Sequence, residues 1–266
     1  MSLDFGLKGA HVLITGAAGG IGLETVRVFC QLGARVTAHY NSRIGALSEI
    51  PDIVSLQADV RDETSVERLL AEATEKNGGP VNVLIVNHGI WPAEAKSIAD
   101  MDLKQWENTL AVDLTGPFLL CRAYLRALKG ASEEVKKAAS IVFIGSTAGR
   151  YGEAGHGDYA SAKSALQGGF MLTLKNEIVH IAPQGRVNSV NPGWVVTPLA
   201  EDTLEDTAFV ERVLATTPLR KVGRPEDVAR QVAVLASPVL SGHVSGMGIM
   251  VEGGMEGRLL WPPKSS

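Results

Sequence analysis

The run Gly16-Ala-Ala-Gly19-Gly20-Ile21-Gly22 constrains this chain more than any other stretch. A short β-rich run, Ala10-His-Val-Leu-Ile-Thr15, leads into it, and a helical pattern reaching about Leu32 follows. Glycines let the backbone turn tightly and come close to a ligand. The helix N-terminus adds unpaired N–H groups and a dipole that favours negative charge. Strand, glycine turn and helix together point to a pyrophosphate site at the start of an α/β domain. A plain glycine-rich turn is the alternative.

The next strand ends refine the ligand. Arg35-Val-Thr-Ala-His-Tyr40 is a second strand, and Tyr40 stands where a carboxylate would bind the ribose hydroxyls of NAD. Asn41, Ser42 and Arg43 follow, with donors and one positive charge suited to a 2′-phosphate, so NADP(H) is preferred over NAD(H). Arg43 also reads as an ordinary solvated cation. Ile53 to Val60 forms a third strand. At its end Asp59 is placed for an adenine amino group and Val60 for the ring. The other reading of Asp59 is the cap of a helix from about Asp62 to Lys76. Val81 to Asn87 is a continuous apolar run, as in a strand buried on both faces. Beyond it, Asn87 can tie neighbouring strands together and Gly89 lets backbone lie close to a cofactor. His88, between them, reads as structural in the same place.

A helical pattern runs from about Asp102 to Leu128 with Pro117 inside it. Proline donates no hydrogen bond to the carbonyl four residues back, that of Asp113, so a kink is expected there with that oxygen free for a water. Further on, Ser140 to Ser146 reads as a strand ending in a hydroxyl, and Tyr159-Ala-Ser-Ala-Lys163 opens a helix reaching about Ile181. Residues four apart share a helix face, so the Tyr159 phenol and the Lys163 ammonium address one space. A nearby cation lowers a phenol's pKa, which would fit Tyr159 for acid/base work. Gly185 to Asn191 is a sixth strand. The turn Pro192-Gly193-Trp-Val195-Val-Thr197 can present backbone groups and a hydroxyl to a carboxamide. Residues 199–217 suit a lid, within a broader substrate segment at about 194–222. Pro225 to Ala236 is a helix, Gly246 to Gly254 closes the sheet, and Met255 to Trp261 is apolar enough to pack.

The chain's 266 residues, 45% of them hydrophobic, suffice for one α/β domain with a large core. A net charge of −4 without a basic run argues against nucleic acid. Cys30 and Cys121 sit in apolar helical patterns, as core thiols of a reducing compartment do. The start shows no secretory signal and no run spans a bilayer, so a cytoplasmic protein without membrane association is expected. The six histidines are scattered and no metal site is expected.

Five features now stand in order: Thr15-Gly-x-x-x-Gly20-x-Gly22, Asn87-x-Gly89, Ser146, Tyr159-x-x-x-Lys163 and Pro192-Gly193-x-x-x-Thr197. Together they resemble the short-chain dehydrogenase/reductase family, over nearly the whole chain. The resemblance implies one Rossmann-type domain over 1–266, a doubly wound parallel sheet of about seven strands with helices on both faces. It implies a nicotinamide cofactor held by the glycine turn and the strand ends. It also implies a homo-oligomer, dimer or tetramer, paired through the long helices. Gly168-Gly169 fits that pairing, or else a close contact within the subunit. By position, Ser146 would hold a substrate carbonyl oxygen, Tyr159 would protonate it, and Lys163 would lower the Tyr159 pKa and bind the nicotinamide ribose. The family usually has Asn where this chain has Asp113, in Val112-Asp113-Leu114. Its main-chain carbonyl can still serve, but its charge alters the surroundings of Lys163. The leading function is reduction of a carbonyl to an alcohol, or the reverse, on a small to medium, largely apolar substrate. Trp91, Tyr151, His156 and Trp194 are candidates for the pocket wall. The alternatives are an isomerase, dehydratase or cyclase on the same fold, or a non-redox cofactor-binding protein.

Overall fold

Seven parallel strands form one sheet in the computed structural model, which describes residues 4–255. They are β1 His11–Ile14, β2 Arg35–Tyr40, β3 Val54–Gln57, β4 Val83–Val86, β5 Ser140–Ile144, β6 Arg186–Pro192 and β7 Gly248–Val251. Their spatial order is β3-β2-β1-β4-β5-β6-β7, so the winding reverses between β1 and β4. Val12 of β1 faces Val36 on one side and Val83 on the other. The period of two sends alternate residues to opposite faces. Leu13, Leu84, Ile141 and Phe143 pack into one core, and Val12, Ile85, Val142 and Val190 into the other. A parallel sheet buried on both faces needs helices on both.

The helices are α1 Gly20–Gln31, α2 Glu63–Lys76, α3 Leu103–Leu110, α4 Gly116–Lys129, α5 Glu133–Lys137, α6 Ala148–Tyr151, α7 Gly157–Ala165, α8 Met171–Ile178, α9 Glu201–Glu205, α10 Thr207–Ala215 and α11 Pro225–Ala236. Leu69 of α2, Tyr124 of α4 and Leu174 of α8 fill the first core. Phe29 of α1 and Val232 of α11 fill the second. Arg186, buried on β6, donates to the Ala236 carbonyl at 2.8 Å and so closes the C-terminal end of α11.

Two expected helices are each interrupted. Between α3 and α4 the chain makes a π turn, Ala111–Thr115, in which the Gly116 N–H reaches back to Ala111 O. Pro117 cannot donate to Asp113, so the regular ladder is already broken there. A second π turn, Leu166–Phe170, separates α7 from α8, and Gly168 leaves helical geometry at φ −104°, ψ −107°. A Cβ on Gly168 or Gly169 would meet nothing within 4 Å among the described residues, so the pair makes no close contact with them. Asp59 is not the cap of α2. Asp62 is, and its Oδ2 accepts the Ser65 N–H at 2.8 Å. Segment 199–217 carries α9 and α10, the latter capped by Asp206. The apolar tail lies, after Met255, outside the described residues. Among the described residues no helix is long and apolar enough to cross a membrane, and no cluster of metal-ligating side chains occurs.

Candidate active site

A cleft of about 940 Å³ opens at the C-terminal ends of β1, β2, β4, β5 and β6. This is where doubly wound sheets place ligands, because the winding reversal leaves a gap between crossovers. Gly16, Gly19, Gly20, Ile21 and Gly22 form one wall. Gly16 adopts φ +61°, and a Cβ there would lie 2.7 Å from His88 Cα. At Gly20 a Cβ would lie 2.8 Å from Thr197 Cγ2, so the turn after β6 closes directly onto the glycine turn. The α1 N-terminus has no side-chain cap and no acidic residue in its first turn. Its free N–H groups and dipole suit an anion.

The wall is held from below by His88 and Asn87, which the sequence offered as structural, and by His39, which it did not. His39 Nε2 lies 3.0 Å from Ala58 O, which can only accept, so this nitrogen carries the proton and Nδ1 accepts the Gly16 N–H at 3.2 Å. The same logic protonates His88 Nε2, 3.1 Å from Val112 O, and lets Nδ1 accept the Thr15 hydroxyl at 2.8 Å. Burial pushes the His88 pKa down to about 3, so the ring is neutral. His88 is thus structural, and it rivets β1 to β4. Asn87 adds to the joint, donating to Thr15 O at 2.9 Å and Gly16 O at 3.0 Å. These links span over 70 positions, and only the fold reveals them.

Tyr40, Asn41, Ser42 and Arg43 line one end of the cleft, together with Asp59 and Val60. Asp59 is engaged by Arg61, whose Nη2 lies 2.7 Å from Oδ2. That bond holds its carboxyl below the usual aspartate range. At the other end Gly89, Pro192, Gly193, Val195 and Thr197 converge with Ser146, Tyr159 and Lys163. Ser146 follows β5, and its N–H donates to Gln167 Oε1 at 2.9 Å. Gln167 lies in the second π turn, a contact with no mark in the sequence. The Ser146 hydroxyl and the Tyr159 phenol face the same part of the cleft, near enough for Ser146 to act on the phenol's ionisation. Lys163 Nζ lies 5.5 Å from the Tyr159 ring centroid and donates to Ile144 O at 3.1 Å.

Two expectations need correction. Asp113 does not line the cleft; it is fully buried behind Lys163. Its Oδ1 accepts the Ile90 N–H at 2.8 Å, and its Oδ2 stands 3.6 Å from Lys163 Nζ with no hydrogen bond. Burial raises its pKa and Lys163 opposes the rise. The Tyr159 pKa is raised, not lowered, by burial first and by the Asp113 charge next, while the nearby Ser146 hydroxyl acts the other way. The Asp113 carboxylate answers the Lys163 charge that was expected to act on the phenol.

Of the wall candidates, Trp91, Tyr151 and Trp194 line the cleft, whereas His156 is buried behind, stacked on Trp91 at 4.2 Å. From segment 199–217, among the described residues, only Leu199 and Ala200 reach it.

A family profile described as enoyl-(acyl carrier protein) reductase matches residues 16–256. The chain belongs to the short-chain dehydrogenase/reductase family. It is 32% identical over 255 residues to a cis-4-hydroxycyclohexanecarboxylate dehydrogenase of Sinomonas cyclohexanicum, covering 91% of this chain and 94% of that protein. To an L-rhamnose 1-dehydrogenase (NAD(P)(+)) of Azotobacter vinelandii it is 30% identical, covering 92% and 95%. A crystal structure of a short-chain dehydrogenase/reductase from Brucella melitensis superposes with a TM-score of 0.84 at 30% identity, covering 96% and 99%. As a member of this family the chain is an oxidoreductase of the dehydrogenase/reductase kind, working between CH–OH and C=O.

Proposed function

We propose that this short-chain dehydrogenase/reductase interconverts a ketone or aldehyde and its alcohol with NADP(H), on a small to medium, largely apolar substrate. The observation that carries the reading is the convergence of Ser146, Tyr159 and Lys163 in the same cleft as the glycine cradle. The uncapped α1 N-terminus and Gly16 to Gly22 would hold the pyrophosphate. Asn41, Ser42 and Arg43 would hold the 2′-phosphate, with Val60 against the adenine. Gly89, Pro192, Gly193, Val195 and Thr197 would border the nicotinamide, and Lys163 its ribose. When bound, the cofactor gives or takes the hydride.

The chain's own groups handle the rest. Ser146 donates a hydrogen bond to the substrate oxygen. Tyr159 gives its phenolic proton to that oxygen on reduction and takes it back on oxidation. A phenol raised above its usual pKa keeps its proton at neutral pH, the form that reduction uses. Asp113 acts through Lys163 as a positioning residue. We further propose a cytosolic homo-oligomer, dimer or tetramer, joined through the long helices. The open surface over Gly168 and Gly169 supports this.

The test is oxidation of NADPH and of NADH by the purified enzyme against aldehydes, ketones, diketones and quinones. Turnover with NADPH favoured is expected. Arg43→Ala should raise the KM for NADPH about tenfold, the value of a charge-assisted hydrogen bond, and leave that for NADH unchanged. Conversion of a substrate without net oxidation of either nicotinamide would favour an isomerase, dehydratase or cyclase, a reading to which the Asp113–Lys163 pair gives some support.

A further inference from the structure

Glu153 sits in the substrate half of the cleft, two residues after α6. Its Oε1 accepts the Trp91 indole N–H at 3.1 Å, which fixes both side chains across 62 positions of chain. Trp194 meets Trp91 edge-on at 5.9 Å, and Phe209 of α10 packs on Trp194 at 4.8 Å. The wall is therefore a run of rings with one carboxylate set among them. Among the described residues no Lys or Arg pairs with Glu153, and the other charge that acts on it is the carboxylate of Asp158. Burial makes an unpaired charge costly, so a site of this kind is completed by its ligand. Glu153 is also close enough to Tyr159 to act on its ionisation. Both residues line the same cleft.

We infer that Glu153 and Trp91 form a subsite for a hydrogen-bond donor, a hydroxyl or an ammonium, carried on an apolar frame, and that an anionic group is rejected there. The inference rests on the reading of this cleft as the carbonyl site. Its chemistry is specific. Ring faces accept the C–H faces of a carbocycle, and a few placed polar groups then set orientation. A carboxylate accepts and does not donate. An O–H or N⁺–H opposite Glu153 makes a charge-assisted hydrogen bond. A bare hydrocarbon leaves the carboxylate without a partner, and a second carboxylate adds repulsion. The substrate is then an apolar carbonyl compound with a second, donating substituent. The relative named for a hydroxycyclohexanecarboxylate would differ from this chain in that substituent.

The test uses matched cyclohexanones that carry a hydroxyl, an ammonium, a carboxylate or only hydrogen, beside the carbonyl or across the ring. Two readouts are taken: kcat/KM with each nicotinamide, and binding followed by quenching of tryptophan fluorescence, which needs no turnover. Trp91→Phe identifies the part of the signal that comes from this subsite. A donor-bearing ring should exceed the unsubstituted one, and the carboxylate should rank last, at least about tenfold below the donor. Glu153→Leu should collapse that ranking. Glu153→Gln separates the two donors, because the amide keeps an acceptor and loses the charge. A hydroxyl preference should persist in it, and an ammonium preference should fall about tenfold or more. Carboxylate preferred or equal in wild type, or a ranking that Glu153→Leu leaves intact, overturns the inference. Absence of any nicotinamide oxidation, with the binding order still as expected, would instead count against the reductase reading and leave the subsite standing.

Discussion

Tyr159 and Asp113 are coupled through Lys163, and single-residue changes separate their parts. Tyr159→Phe removes the transferable proton while keeping the ring over which Lys163 lies. Turnover should fall at least about 100-fold, the low end for general acid catalysis, with NADPH binding retained in an equilibrium titration. Unchanged turnover would mean that another group supplies the proton. Asp113→Asn keeps an oxygen for the Ile90 N–H and removes the charge that raises the Tyr159 pKa. The phenolate then forms more easily. The limb on which alcohol oxidation rises with pH, set by phenolate formation, should move to lower pH, so that oxidation at pH 7–8 speeds up. A limb that stays in place, or moves to higher pH, contradicts the coupling. The same substitution bears on stability, because a carboxyl raised on folding holds protons that the unfolded chain releases. Stability is therefore lost as pH rises from the ordinary aspartate value of 3.8, and Asn should remove that part of the slope.

Among the elements, the two π turns explain both what the sequence displayed and what it hid. Arg35–Tyr40 and Pro225–Ala236 emerge with the expected bounds. β-Branched residues define the first, and a proline at the first helical position opens the second. The long helices were legible as helices, and Pro117 marked trouble near Asp113, but the inserted turn shifts register without altering composition. Gln167 therefore gave no sign that it would face Ser146. Glu153 was missed for a related reason: its meaning depends on Trp91, which only the fold brings near. The second π turn also carries a prediction. Gly169→Ala adds a methyl that meets nothing among the described residues. In an isolated subunit it should stabilise by about 0.5–1 kcal/mol. If two copies pack there, the methyl should instead weaken assembly, seen as a shift to lower mass in sedimentation at micromolar protein. An unchanged mass would remove this face from the interface.

At the scale of the molecule, the two halves of the sheet meet at a joint made of polar groups. The Thr15–His88 and Asn87 bonds hold β1 to β4 where the winding reverses. His11 and His39, like His88, are buried with pKa values lowered by burial. Between pH 6.5 and the folded value of about 3 the unfolded chain binds a proton at residue 88 that the native state refuses. Unfolded forms gain from that proton, so stability is complete above 6.5 and declines as pH falls, by up to about 1.4 kcal/mol per unit from His88. Urea titrations from pH 7 to 4 should show this decline, and His88→Gln should flatten it. A slope identical in the variant would assign the acid lability elsewhere.

The π turn that carries Asp113 has a further meaning for how this sequence can change. A π turn is an α-helix with one residue too many, and each helical residue turns the chain by about 100°. Loss of one codon within Ala111–Thr115 would remove the extra residue and let α3 run into α4 with only the gap in the ladder that Pro117 leaves. Everything on one side of it would rotate by that angle, and Asp113 would swing away from Lys163. Codon loss inside a helix is ordinarily ruinous. Here it has a ready structural outcome, a helix one residue shorter, with Lys163 of α7 left without its acidic neighbour. Such lineages would be recognised by length at this point rather than by any substitution.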